Sequence, residues 1–532
     1  MAEGRGRSAT DGADAGSGDG APAGAANPHE ISPPDPADPV EAALVHESGG
    51  EDLAAKAAGG FVWALVGFAL MQLGGFATYT IASRLLGSEG LGLVATFLTV
   101  FFYADVLLDV GMGATLIYEQ EEGQSDRVRL AFTVNTMAAV VVAAAVFFGA
   151  PLLASFFSVQ SEAWLFRLLA LLVLTKGLNQ IPDALLRREI DFKRRVRADL
   201  TRALSRFVIA TVMLYAGYGV TAMVVGIVAS EVLATIVTFW LVRFRPGFNF
   251  DRQIAVEMFR FGAAVFGSRL TGMLWLNGDY LVISNRFGGG SKQMGDYYTA
   301  FRLPELIIGS VYALFSSIAF PAYSAARESG PEKLRQASLR SLRLLTLFGF
   351  TAGIGLSLIA SDFIPRWFGR DYLGAVVPME IFGIAAGFAG IGFASGDLFS
   401  AVGKPRLGLY FNLAGAPILI GGFLLFVDHG VAAVAWVHVA VIVPYAIFRM
   451  WVANRLIGTT WPQNLAAVRA AAVATAGLVA LALPLRLLMT PGLGRMVLIV
   501  VAGAVGAVVG LAVGERSTFG ELSNLARKAL NR

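Results

Sequence analysis

The residues with the greatest chemical potential in this sequence are charged side chains set inside apolar runs. Arg269 and Glu231 fall near the middles of the runs 259–284 and 221–242. A charge at that depth in a membrane is costly, and by default it marks function. The arginine fork fits the oxygens of a phosphate group. Alternatively, Arg269 and Glu231 neutralise each other or nearby groups. Lys176, in the run 163–184, is a further cavity candidate, or else a side chain that snorkels to the headgroups. Asp105 and Asp109 lie one helical turn apart. Like charges at that spacing need a cation, a proton or a basic neighbour, so they are candidates for ion coupling or for pairing with an arginine. Asp279, Arg302 and Glu305 sit toward the ends of two successive runs, where they form a candidate outer gate or a static salt-bridge cluster. Pro304, between Arg302 and Glu305, is the candidate hinge, because proline removes a backbone hydrogen bond; a fixed kink is the alternative.

Several chemistries are excluded or disfavoured. There are no cysteines, so no disulfide or thiolate metal site exists. The four histidines, His29, His46, His429 and His438, are scattered and form no metal cluster by spacing. No phosphate loop of the form G-x-x-x-x-G-K-S/T occurs; Gly403-Lys404 is followed by Pro405. No cofactor is expected. Energy for any transport must come from an ion gradient, the substrate gradient or the membrane potential.

The elements that must position these groups are membrane helices. Hydrophobic residues make up 56% of the chain and charged ones 15%, against about 25% charged in an ordinary soluble domain. Fourteen apolar runs are long enough to cross a hydrocarbon layer about 30 Å thick. The first six lie near 59–83, 91–116, 130–155, 163–184, 203–219 and 221–242. The second six lie near 259–284, 296–320, 340–361, 376–402, 407–427 and 431–453, and two more near 466–489 and 495–514. Residues 1–52 carry 11 acidic and two basic residues and no apolar run, which predicts a disordered acidic tail. Connections on one side, with the C-terminal tail, hold 27 Lys and Arg; the other side holds six. That asymmetry predicts both termini in the cytoplasm. The clusters at 185–202 and 327–343 read as anchors for anionic lipid headgroups rather than as nucleic-acid patches.

Two turns repeat. RLLGSEGLGLVATF (84–97) and RFGGGSKQMGDYYTAF (286–301) each place a glycine four residues before a threonine, Gly92/Thr96 and Gly295/Thr299. Six runs separate them, so the halves carry the same orientation, as in transporters built from parallel repeats. With ALLRREIDFKRR (184–195), LNGDYLVISNRFGGG (276–290), GDYYTAFRLPEL (295–306) and FPAYSAAR (320–327), the sequence resembles the polysaccharide-transporter and oligosaccharide-flippase branch of the multidrug/oligosaccharidyl-lipid/polysaccharide exporter superfamily over about 57–455. The turn SNRFGGGS (284–291) departs from the Ile-Gly-Arg form expected there.

The resemblance implies an all-α polytopic protein with two six-helix lobes in a pseudo-symmetric V. The expected division is a tail at 1–52, lobes at 53–245 and 246–457, two added helices within 458–514 and a basic cytoplasmic tail at 515–532. It also implies a flippase, not an enzyme, for a polyprenyl-pyrophosphate-linked oligosaccharide, working by alternating access in the cytoplasmic membrane. The pyrophosphate would meet Arg269, Lys176 and Glu231. Expected partners are that lipid, anionic membrane lipids, a coupling H+ or Na+, and polymerase and chain-length machinery, with no nucleic acid. A cation-coupled multidrug extruder is the alternative, and a polysaccharide polymerase or ligase a more distant one. The longest outside connection, 361–375, is too short for an enzyme's outer domain.

Overall fold

The computed structural model describes residues 49–108, 124–188, 192–242, 247 and 252–530, and every element among them is helical. The chain divides into Met1–Gly59 and Gly60–Arg532. Of the first unit, the described part is the helical stretch 49–59. The acidic segment 1–48 and Asp109 lie outside the described residues.

The helices follow the apolar runs. The first two runs are α1, Gly49–Leu108, broken at Gly87, whose φ of 68° is a left-handed value that suits glycine. The next four are α2 (Gln124–Phe156), α3 (Ala163–Arg188), α4 (Phe192–Tyr215) and α5 (Val220–Val242). The seventh is α6, Arg252–Phe287. The eighth is α7 (Lys292–Pro304) continued through a π-helical turn, Glu305–Gly309, into α8 (Ser310–Glu328). Then follow α9 (Pro331–Trp367), α10 (Val376–Ala401), α11 (Arg406–Phe426) and α12 (Val431–Ile457). The last two runs are α13 (Trp461–Leu488) and α14 (Leu493–Gly514). The C-terminal tail also holds a helix, α15 (Arg516–Leu530), and its Glu521 pairs with Arg340 at 2.6 Å.

Local chemistry sets the ends. Ser291 caps α7 by accepting from Met294 N at 3.2 Å. Thr460 and Gln463 form a capping box at the start of α13, with Pro462 in its first turn. Gly458 closes α12 in the left-handed conformation.

Packing repeats along the chain. In the first half α2 packs on α3, α3 on α5 and α4 on α5; in the second, α9 packs on α10, α10 on α12 and α11 on α12. Helices α13 and α14 pack on each other and on α9. A buried ion pair fastens them: Arg495 donates through Nε to Asp362 at 2.9 Å and through Nη1 to the carbonyls of Arg486 and Met489. Large apolar side chains such as Phe148, Leu152, Trp240, Leu425 and Leu488 point outward. An apolar exterior is what lipid requires, and helices satisfy their own backbone there. The protein is an all-α, polytopic membrane protein.

A joint and a charged cluster between the two halves

The repeated turns meet each other. A Cβ on Gly92 would stand 2.6 Å from Ser291 O, and one on Gly295 only 1.8 Å from Ser88 O. Both positions therefore require glycine. The paired threonines bond across the same joint: Thr96 donates to Gly289 O at 3.0 Å, and Thr299 shares a 2.7 Å hydrogen bond with Tyr79. Ser88 donates to Asp296 at 2.9 Å, and its backbone N–H donates to Asp371 at 2.7 Å. The 361–375 connection lies over the joint, with Arg84 donating to Trp367 O and Tyr372 to Ser83 O. Deeper along α1, Gln72 donates to Ser310 at 2.8 Å. From Leu86, just before the break at Gly87, to Gln72 is about 21 Å of helix rise, so the two halves are bonded along a long seam.

Charges gather below the joint. Glu231, 3% exposed on α5, accepts from Arg202 Nε at 2.9 Å and Nη2 at 3.3 Å, and lies 3.9 Å from Lys176. Arg202 also reaches Asp199 at 3.0 Å. Asp105 stands within electrostatic reach of Lys176, Glu231 and Arg269. Four residues picked out in the sequence, Asp105, Lys176, Glu231 and Arg269, thus come together from α1, α3, α5 and α6. Glu231 takes Arg202 and Lys176 as its ionic partners, nearby groups of the kind the sequence offered beside Arg269. Arg269 is exposed.

Arg206, absent from the sequence-based candidates, is a half-buried further member of this group. It lies one turn beyond Arg202 on α4 and within electrostatic reach of Glu231, Arg202, Tyr298 and Arg302. Its Nε is buried and has no hydrogen-bond partner among the described residues. A donor in such a place is open to water or to an acceptor from outside the chain. The signal was there in sequence as the i,i+4 pair Arg202/Arg206 at the start of the fifth run, 203–219.

The other candidates separate. Arg302 and Glu305 pair at 2.9 Å across i,i+3. Pro304 immediately precedes the π-helical turn, a local break in the regular ladder of the kind often found at functional positions. Asp279, 1% exposed, takes other partners: it accepts from Tyr297 Oη at 2.7 Å and lies 3.1 Å from His438 Nε2. His438 gave no signal in the sequence, because a lone histidine in an apolar run has no spacing to betray it. No group of three potential metal ligands occurs among the described residues.

Comparison with known proteins agrees with this architecture. Residues 81–377 match the family model described as polysaccharide biosynthesis protein. The teichuronic acid biosynthesis protein TuaB of Bacillus subtilis is 25% identical over 66% of this chain and 72% of its own length. The lipopolysaccharide biosynthesis protein WzxC of Escherichia coli is 22% identical over 67% and 72%. Among solved structures, the lipid II flippase MurJ in an inward closed conformation superposes with a TM-score of 0.72 at 13% identity, over 86% of this chain and 99% of that one. An inward-facing multidrug transporter of the MATE family gives 0.60 at 17% identity, over 74% and 98%. The matched segment runs from α1 into α10 and holds both the glycine joint and the charged cluster; its fold is that of the lipid II flippase MurJ and the MATE transporter, and the chain belongs to the polysaccharide biosynthesis protein family.

Proposed function

We propose that this protein flips a polyprenyl-pyrophosphate-linked oligosaccharide across the cytoplasmic membrane for cell-surface polysaccharide synthesis, by alternating access between its two halves. The relatives named above are biosynthesis proteins of cell-surface polysaccharides, and the fold neighbours are transporters rather than enzymes. The observation that carries the reading is Arg206. Glu231 is already engaged by Arg202 and Lys176, while the buried Nε of Arg206 lacks an acceptor among the described residues. A pyrophosphate supplies several acceptor oxygens, and an arginine fork grips them in fixed geometry. Arg269, exposed beside the cluster, would add a second arginine to that grip.

Basic-residue asymmetry supports both termini in the cytoplasm. In that orientation the Ser88–Asp296 joint closes the outer side, and the cluster is reached from within. Parting of the joint then hands the headgroup outward, with the irregular turn after Pro304 as the point of bending. Asp105 is the carboxylate proposed for a coupling H+ or Na+.

The fold also admits a drug extruder, and substrate charge separates the two. Purified protein in liposomes should move a fluorescent polyprenyl-pyrophosphate oligosaccharide, read by loss of access to an impermeant quencher. It should not expel a cationic dye such as ethidium. Ethidium transport without lipid flipping would overturn the proposal.

A further inference from the structure

The second half holds an open cavity of about 340 Å³ among α6, α8, α10, α11 and α12. Small-molecule sites span about 300–1,000 Å³ and carry a few placed polar groups on mainly apolar walls. Here the walls include Trp275 and Tyr445, and the polar groups are Ser316, Asp397, Asn412 and Arg449. None of these belongs to the charged cluster below the joint.

The lining is built rather than accidental. Trp275 lies on Tyr445 with ring centroids 4.4 Å apart and planes 30° from parallel. Gly415 makes the room, since a Cβ there would stand 2.3 Å from the Trp275 ring. Arg449 is held over three rings, 5.4 Å from Phe411, 5.5 Å from Tyr445 and 5.6 Å from Phe399. It also donates to Ser395 at 3.1 Å, and a Cβ on Gly396 would come within 2.9 Å of its Nη2. Asp397 accepts from Ser316 at 2.5 Å through Oδ1.

These groups select one kind of occupant. An acyl chain would strand Asp397, Asn412 and Arg449 against hydrocarbon, which is unfavourable. A cation would sit beside Arg449, and an anion beside Asp397. A neutral ring with C–H bonds on its face and hydroxyls at its edge satisfies all of them. Its face lies on the aromatic rings, while its hydroxyls donate to the carboxylate and accept from the guanidinium and amide.

We propose that this cavity is a subsite for one neutral pyranose ring of the oligosaccharide, an inference that rests on the flippase reading above. Placement along α6 supports it. Arg269 precedes Gly272 by one turn and Trp275 by two, about 9 Å of rise. A lipid with its pyrophosphate at Arg269 thus has its first sugars within reach of the cavity.

The test compares two lipids on nanodisc-embedded protein: the pyrophosphate-linked oligosaccharide lipids extracted from the source cells, and bare polyprenyl pyrophosphate. Wild type should bind the glycosylated lipid more tightly than the bare one. Trp275→Ala and Asp397→Asn should each remove about tenfold of that preference, the first through a lost aromatic face and the second through a weakened hydrogen bond to a charged group, and leave affinity for the bare lipid unchanged. Asn412→Ala and melting curves guard against misfolding of the tryptophan variant. Absence of any sugar preference in wild type would overturn the subsite. So would folded variants that keep the full preference, or that weaken both lipids equally. Failure of wild type to bind either lipid would instead strike the flippase reading itself.

Discussion

Gly295 and Ser88 touch backbone to backbone: a Cβ on the glycine would stand 1.8 Å from the serine carbonyl oxygen. The two residues belong to copies of one repeated turn, so the internal repeat doubles as the interface between the halves. Gly295→Ala must push the halves apart there, at a cost of about 1–3 kcal/mol to this closed state. Distances measured by spin labels on α1 and α7 should shift toward the separated state in that variant, while Gly290→Ala should leave them unchanged. A Cβ at Gly290 meets only Val159, at 3.9 Å.

The same joint can be locked. The chain has no cysteine, so Ser88→Cys combined with Asp296→Cys gives a single pair at positions now hydrogen-bonded at 2.9 Å. Oxidation should stop transport and reductant should restore it. Transport that continues in fully cross-linked protein would show that these halves need not part.

Glu231 is the buried counter-ion of Arg202 and Lys176. Glu231→Gln leaves those cations without their carboxylate and should destabilise at the lower end of about 3–5 kcal/mol, because Arg202 keeps 21% of its side chain exposed. Adding Arg202→Met should recover much of the loss in melting experiments.

Asp362 and Arg495 hold the last two membrane helices onto α9, with side-chain exposures of 0% and 6%. Removing either partner alone should cost about 3–5 kcal/mol, while Asp362→Leu with Arg495→Met should come close to wild type. Equal melting temperatures for all three variants would mean that α13 and α14 are held by apolar packing alone.

Topology gives a chemical test. Single cysteines at Ser161 and Gln293 should label from outside intact cells, and one at Gln336 only after permeabilisation. Outside labelling at 336 would invert the orientation and with it the direction of transport.

Most of the helix pattern was legible because lipid imposes a simple code, an apolar run for each crossing. The harder elements are those that carry the site. Helices α3, α4 and α6 are not among the ten spans that, among the described residues, are long and apolar enough to cross a membrane on composition alone. They bear Lys176, Arg202, Arg206 and Arg269, and these charges lower the apolar signal. Thus α4 begins at Phe192 rather than near 203, and its basic first turns read in sequence as a loop. Which acid meets which base was not legible, since Glu231 can reach several cations at similar depth. Helix register and tilt make the choice, as they do for Asp279 with Tyr297 and His438.

The central claim is that a lipid pyrophosphate binds the arginines below the joint, and substitution of those arginines tests it most directly. Glu231 keeps Arg202 and Lys176 when Arg206 is replaced, so Arg206→Ala strands no carboxylate at that position and should melt close to wild type. Melting curves for Arg269→Ala separate any loss of fold from loss of binding. In liposomes each should flip a fluorescent polyprenyl-pyrophosphate oligosaccharide about a hundredfold more slowly, the scale of one lost charge-stabilising donor. Arg269→Lys, which keeps charge but loses the planar fork, should fall between. Wild-type flipping by a folded Arg206→Ala, Arg269→Ala double variant would contradict the account.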